Sequence, residues 1–216
     1  MAKNYACFVD RDGTLIREVG HVSRVDQIEL LPRVHEGIHL LQSRGLKVIM
    51  VTNQSAVARG LIDEAQLHEI HREMGARLAK AGAVLDGIYY CPHHPTEGEF
   101  PYRVLCECRK PEPGLIQRAC LELGLEARGS YVVGDQRSDM ELARRVGAKG
   151  LLVGSTPAGD AGDLSRDSEP APVWAQAGSF WRAAEMIVRD FDADATPAGT
   201  GKEGRDRKKR SLDQIE

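Results

Sequence analysis

Several features are missing from this 216-residue chain, and each absence narrows its function. No apolar run approaches the roughly 20 residues that a membrane helix needs. Neither sign of charge dominates: 29 Lys and Arg stand against 32 Asp and Glu, a formal net charge of -3, so no nucleic-acid or lipid surface is expected overall. Met1 to Tyr5 lead straight into an apolar run and leave no room for a signal peptide, so the expected location is the cytoplasm. There are five cysteines, an odd number without an export signal, which argues against a disulfide framework. No internal repeat is visible, and the expected state is a monomer. What remains is a soluble chain of ordinary composition, 42% apolar and 28% charged, long enough for one α/β domain with a full core.

The chain is organised around Phe8-Val9-Asp10-Arg11-Asp12-Gly13-Thr14-Leu15. The apolar run from Tyr5 to Val9 reads as a buried parallel strand, and it ends in two carboxylates one residue apart. Ligands of open α/β sheets bind just beyond such strand ends. In a roughly extended chain Asp10 and Asp12 face one centre, and Gly13 lets the backbone turn away. Two adjacent carboxylates stay ionised together only if positive charge holds them, and Mg2+ is the natural hard cation. Taken alone, the same residues fit a calcium loop or a polar turn equally well.

Further along, strand and helix patterns alternate. A polar segment from Ile16 to Leu31, with Glu18, Val19, Gly20, His21 and Asp26, reads as a loop near the site. Pro32 opens a helix to about Arg44, and Leu46 to Val51 is a second strand. Thr52-Asn53-Gln54-Ser55 follows, donors suited to a phosphate or to capping a helix. Asp63 with Gln66 has the capping-box form, which leaves Thr52 to Ser55 to a ligand; that helix runs to about Lys80. Ala83 to Tyr90 is a third strand, interrupted by Asp86-Gly87. Pro113 opens a helix to about Leu123, and Ser130 to Gly134 is a fourth strand ending in Asp135. Asp139, one turn on, either complements a helix dipole or holds a ligand. Lys149 to Val153, a short strand at Pro172 to Trp174 and a helix from Gly178 to Arg189 complete the pattern. The expected division is a domain over 1–190 and a disordered, basic tail over 191–216.

One loop carries its own chemistry. Cys91-Pro92-His93-His94 and Cys106-Glu107-Cys108 supply three thiols and an imidazole in two close pairs, a set that structural zinc favours. The Gly- and Pro-bearing spacer has little apolar content, so metal binding would supply its order. His93 has the Cys-x-His spacing and is preferred over His94. Lys110 follows the cluster directly, with Arg109 before it, so a clamp there would fix both.

Strands alternating with helices indicate a doubly wound, mostly parallel sheet. The ordered set Asp-Arg-Asp-Gly-Thr, Val-Thr-Asn-Gln, Lys and Val-Gly-Asp-x-x-x-Asp resembles the haloacid dehalogenase superfamily of phosphotransferases. A finer resemblance, carried by Thr52 to Gly60, Asp86 to Pro95 and Cys106 to Pro111, is to its zinc-loop phosphatases acting on a phosphosugar. Histidinol-phosphate phosphatase shares the zinc loop, but it typically has Asp-Gly where this chain has Ser55-Ala56. The resemblance implies that Asp10 is the nucleophile and Asp12 the acid/base. It also implies that Asp10, the Asp12 backbone carbonyl and Asp135 hold Mg2+, and that Cys91, His93, Cys106 and Cys108 hold Zn2+. Substrate contacts would come from Thr52, Asn53, Gln54, Ser55, Arg59, Arg109, Lys110 and the loop at Glu18 to His21, with Asp139 in support. Gln136 departs from the family's frequent Lys and lacks its charge. No insertion is long enough for a separate cap domain. A non-catalytic phospho-acceptor is the competing reading; Asp12 speaks against it, since such a module has no use for an acid/base.

Overall fold

The computed structural model describes residues 4–154 and 173–195. Apolar residues of the strands alternate between two cores, which is why the sheet is covered on both faces. Cys7 and Val9 of β1 (Ala6–Val9), Val48 and Met50 of β2 (Lys47–Asn53), and Val133 of β4 (Tyr131–Gly134) point to one side. There they meet Ile38 and Leu41 of α1 (Val34–Gln42), Leu67, Ile70 and Met74 of α2 (Glu64–Lys80), and Ala183 and Ile187 of α5 (Phe180–Ala195). Phe8, Ile49, Val51 and Val132 point to the other side. Leu115, Ile116 and Ala119 of α3 (Gly114–Leu123) and Leu142 and Ala143 of α4 (Arg137–Val146) pack against them.

Together with β3 (Gly87–Cys91), β5 (Lys149–Val153) and β6 (Ala175–Ala177), the strands form a six-stranded sheet in the order β3-β2-β1-β4-β5-β6. Every pairing between neighbouring strands of this sheet is parallel. The chain reverses its direction of winding between β1 and β4, and in open α/β sheets that switch point is where a ligand crevice forms. Asp10 follows β1 and Asp135 follows β4, so two carboxylates stand on the two sides of it.

Most element boundaries lie within two residues of the sequence pattern, and three differences have a visible cause. The third strand starts at Gly87, not Ala83. Asp86 Oδ2 accepts a 2.9 Å hydrogen bond from Val48 N, so a side chain occupies the ladder position before β3 begins. The last strand is Ala175–Ala177 rather than Pro172 to Trp174; Ala175 is the residue in register with Leu151. Helix α5 continues to Ala195, past the expected tail boundary at 191. Phe191 packs edge-on against Tyr5, with ring centroids 6.1 Å apart, and Asp192 pairs with Arg44 at 3.2 Å. The remainder of the basic tail lies outside the described residues.

Candidate active site and metal cluster

Strand β1 delivers Asp10 beside β4, where Asp10 N donates to Val133 O at 2.9 Å. Gly13 then turns the chain at φ 67°, a left-handed conformation. A Cβ there would lie 2.2 Å from Asp135 Oδ2, so only glycine permits the approach. The Asp10 Oδ1 atom accepts from Arg11 N at 2.7 Å and lies 2.8 Å from Lys110 Nζ. Lys110, 2% exposed, also reaches Asp139 Oδ1 at 2.7 Å and donates to Val51 O at 3.1 Å. Burial opposes its charge, but Asp10 and Asp139 outweigh burial and hold the ammonium above the usual lysine range.

Asp139 serves the start of α4 with one oxygen and Lys110 with the other. Its Oδ2 accepts from Gln136 N at 3.1 Å, closing the start of α4, while Oδ1 faces Lys110. Gln136 Nε2 donates to Asp135 Oδ2 at 3.0 Å, so the neutral residue at the family's lysine position serves to steady Asp135.

Ligand oxygens of Asp10, Asp135 and Asp139 lie within 4.8 Å of one another. Three acids thus face one lysine. Burial first, then the charges of Asp10 and Asp139, push the Asp135 carboxyl up to about 7. Its Oδ1 is buried with no hydrogen-bond partner. An unpartnered buried carboxylate oxygen beside excess negative charge, with oxygen donors all round, fits a hard divalent cation such as Mg2+.

The Asp12 carboxylate is not part of this group of three. It turns aside to Arg11, with Nη2 at 2.9 Å from Oδ2, and accepts from Gln54 Nε2 at 2.9 Å. The extended geometry expected of Asp10-x-Asp12 therefore does not bring both side chains to one centre.

Strand β2 runs two residues past the expected end at Val51, so Thr52 and Asn53 belong to it and Gln54 and Ser55 follow it. Asn53 is taken up at both ends of its amide by the Lys110 backbone, donating to Lys110 O at 3.1 Å and accepting from Lys110 N at 2.9 Å. Gln54 Nε2 bridges Asp12 and Thr52 Oγ1, 2.9 Å from each. Both amides are thus held by other groups of the protein. Thr52 is buried at the end of β2 and Ser55 is half-buried. Arg59 is ion-paired with Glu97 of the cysteine-bearing loop. Arg109 Nη1 donates to His93 O at 3.2 Å and so braces that loop.

Glu18, Val19, Gly20 and His21 are exposed. Backbone bonds from Arg17 N to Glu29 O and from Leu31 N to Leu15 O close the base of their loop at 2.9 and 3.0 Å. Desolvation first, and the charge of Asp12 second, push the Glu18 carboxyl up.

In the cysteine-bearing loop, ligand atoms of Cys91, His93, Cys106 and Cys108 lie within 4.8 Å of one another. Cys108 Sγ is 3.1 Å from Cys91 Sγ, 3.3 Å from Cys106 Sγ and 3.3 Å from His93 Nδ1. A tetrahedral zinc with bonds of about 2.3 Å sets its sulfurs about 3.8 Å apart, so a small outward adjustment suffices to fit one. Hydrogen bonds from its neighbours, Cys91 first, hold the Cys108 thiol down at about 5; those neighbours are lifted in turn, Cys91 by Cys108 and Cys106 by burial. His94 faces elsewhere: its Nδ1 accepts from Glu97 N at 3.0 Å. Tyr102 anchors the loop to α2, donating to Glu64 Oε1 at 2.8 Å. A Cβ on Gly98 (φ 84°) would lie 1.7 Å from Ala58 O, so this loop rests directly on the segment that carries Arg59.

Arg11 and His71 were not among the residues singled out from sequence. Arg11 sits inside the motif but reads as a spacer, and His71 reads as one more residue of a helix face; only the fold brings them together, 3.3 Å apart.

A switch-point sheet with strand-end aspartates and a buried lysine between two of them defines a haloacid-dehalogenase-type hydrolase. A family model described as HAD-hydrolase-like matches residues 107–177. A D-glycero-β-D-manno-heptose-1,7-bisphosphate 7-phosphatase of Escherichia coli strain K12 is 38% identical over 177 residues, 81% of this chain and 90% of that protein. One from Photorhabdus laumondii is 41% identical over 149 residues, 68% and 79% of the two chains. A solved D,D-heptose 1,7-bisphosphate phosphatase from B. bronchiseptica, complexed with magnesium and phosphate, superimposes with a TM-score of 0.71 at 29% identity, covering 86% of this chain and 99% of its own. The chain belongs to the D-glycero-β-D-manno-heptose-1,7-bisphosphate 7-phosphatase family of phosphoric monoester hydrolases.

Proposed function

We propose that this protein hydrolyses the 7-phosphate of D-glycero-β-D-manno-heptose 1,7-bisphosphate, on the way to an activated heptose for lipopolysaccharide. The observation that carries the reading is the division of labour between the two motif aspartates. Asp10 lies among Lys110, Asp135 and Asp139, where a phosphoryl group would meet positive charge. Asp12 is held apart by Arg11 and Gln54, where it is available for proton transfer.

In this reading a carboxylate oxygen of Asp10 attacks phosphorus. An O–P bond to Asp10 forms as the bond to the sugar oxygen breaks, and Asp12 gives its proton to that oxygen. Water then attacks phosphorus and passes a proton back to Asp12. The bond to Asp10 breaks, and phosphate and both side chains return to their starting forms. Lys110 and the Thr52 hydroxyl bear on the phosphoryl oxygens, whose charge in the transition state is stabilised chiefly by positioned positive groups. Asp10, the Asp12 backbone carbonyl and Asp135 would hold Mg2+, which supplies charge neutralisation and orientation when bound. Cys91, His93, Cys106 and Cys108 would hold Zn2+ in a structural role. Arg59 is the cation we assign to the remote phosphate, with Ser55 and the Glu18 to His21 loop as further substrate contacts.

The test is a comparison of heptose 1,7-bisphosphate with histidinol phosphate at equal magnesium. Much the higher kcat/KM is expected for the heptose, with phosphate lost from C7. Equal or better turnover of histidinol phosphate would sink the substrate assignment and leave the phosphatase chemistry standing.

A further inference from the structure

We infer that Arg11 and His71 are positioning residues for Asp12: His71 backs the Arg11 guanidinium, and the guanidinium fixes the plane in which Asp12 offers its carboxyl group to the departing oxygen. This rests on the reading of Asp12 as acid/base and adds residues to it.

The geometry is that of a clamp. Arg11 Nε lies 3.1 and 3.2 Å from the two Asp12 oxygens and Nη2 lies 3.0 and 2.9 Å from them. A planar fork against a planar carboxylate fixes direction as well as distance, which a lysine at the same place would not do. Gln54 Nε2 holds Oδ2 from another side at 2.9 Å and ties it to Thr52, the strand-end hydroxyl. Arg11 is 1% exposed, and a buried guanidinium is costly unless its donors are met. Its Nε and Nη2 serve Asp12, while Nη1 lies 3.3 Å from His71 Nε2.

Arginine only donates, so His71 Nε2 must accept, and the ring proton belongs on Nδ1. Burial first and Arg11 second push the His71 imidazole down to about 3, so the acceptor is present throughout the neutral range. The ring is held in turn by Tyr90 of β3, with centroids 5.5 Å apart. His71 touches neither of the motif carboxylates; it acts through Arg11. A surface arginine would have supplied charge to Asp12 at less cost, so burial with a dedicated acceptor points to orientation as the function.

Orientation of an acid has a readout that general destabilisation lacks. Proton donation matters greatly when the leaving group is a sugar alkoxide and little when it is p-nitrophenolate, already a stable anion. The kcat/KM value covers steps up to departure of that group. It should be measured on heptose 1,7-bisphosphate and on p-nitrophenyl phosphate for wild type, His71→Phe, His71→Gln and Asp12→Asn, with thermal melts alongside. His71→Phe keeps a ring against Tyr90 but removes the acceptor; the expected result is a loss on the order of tenfold greater on the sugar than on the aryl ester. His71→Gln, which restores an acceptor oxygen, should return the wild-type ratio. Should His71→Phe not fold, Arg11→Lys, which keeps the charge without the fork, is read the same way. Equal losses on both substrates, no loss, or a His71→Gln ratio like that of His71→Phe overturns the inference. Asp12→Asn separates the two levels: if it fails to discriminate between the substrates, the acid/base reading itself is wrong, whereas discrimination by Asp12→Asn alone removes only Arg11 and His71.

Discussion

The carboxylate crevice and the cysteine-bearing loop are both candidate metal sites, yet they are built in opposite ways. In the crevice, Asp10 and Asp135 are placed by adjacent parallel strands and Asp139 by the first turn of α4, so regular hydrogen bonding fixes their positions with or without an ion. In the loop, Cys91 alone lies at the end of a strand, and His93, Cys106 and Cys108 come from a connection with few apolar anchors. Removing the ion from the first should cost chemistry; removing it from the second should cost structure. Lys110 joins the two: its side chain belongs to the crevice, while its backbone follows the loop and is pinned by Asn53.

The sharpest way to break the comparison is at its catalytic end. Asp10→Asn should lower turnover by at least about 10⁴-fold, as loss of a nucleophile commonly does, with a circular dichroism spectrum like that of wild type. Phosphate release at a comparable rate from this variant would remove the crevice from the chemistry. Next in size is Cys106→Ser with Cys108→Ser. Elemental analysis should find about one zinc per wild-type chain and none in the double variant. Its activity should fall along with its melting temperature, because Lys110 loses its clamp; full activity in a zinc-free protein would refute the structural role.

A metal-removal experiment sets the two sites side by side. Brief dialysis against a weak chelator should abolish activity reversibly by stripping magnesium while leaving the melting temperature nearly fixed. A thiol-competing zinc chelator should lower the melting temperature first, as expected where binding free energy is folding free energy. A common response to both would erase the distinction. Asn53→Ala comes next: two backbone bonds to Lys110 are lost, worth about 1 kcal/mol each, and kcat should fall with little change in KM.

Smallest is an effect of pH on stability. His71 titrates at about 3 in the folded chain and near 6.5 when unfolded, so the unfolded state binds the extra proton between those values. Stability is therefore complete above about pH 6.5 and is lost as pH falls. His71→Phe should lack this contribution, and the gap in stability between the variant and wild type should move by about 2 kcal/mol in the variant's favour from pH 7 to pH 5, measured by urea unfolding.

The parts of this architecture that were legible in the sequence are those encoded locally. Apolar runs ending in Asp10, Thr52 and Asp135 mark strand ends, and the spacing of Cys91, His93, Cys106 and Cys108 marks a four-ligand set. Asp63 caps α2 as its capping box predicts, accepting from Gln66 N at 2.7 Å. What was not legible depends on partners far off in the chain. Nothing near Asn53 shows that its amide matches the backbone of Lys110, 57 residues away. His71 and Arg11 are likewise 60 residues apart. The start of β3 was misplaced for the same reason: Ala83 to Leu85 have the composition of a strand, but whether they join the ladder is decided by Asp86 reaching over to Val48.

The contact between Gly98 and Ala58 bears on how such a protein can be re-engineered. The segment carrying Arg59 and the cysteine-bearing loop meet backbone to backbone, with no room for a side chain between them, and the Arg59–Glu97 pair crosses the same seam. Residues 55–61 and 92–108 therefore form one exchangeable cassette rather than two. Grafting either stretch alone from a relative with different substrate preference would leave a mismatched seam, whereas transplanting both together carries the seam across intact.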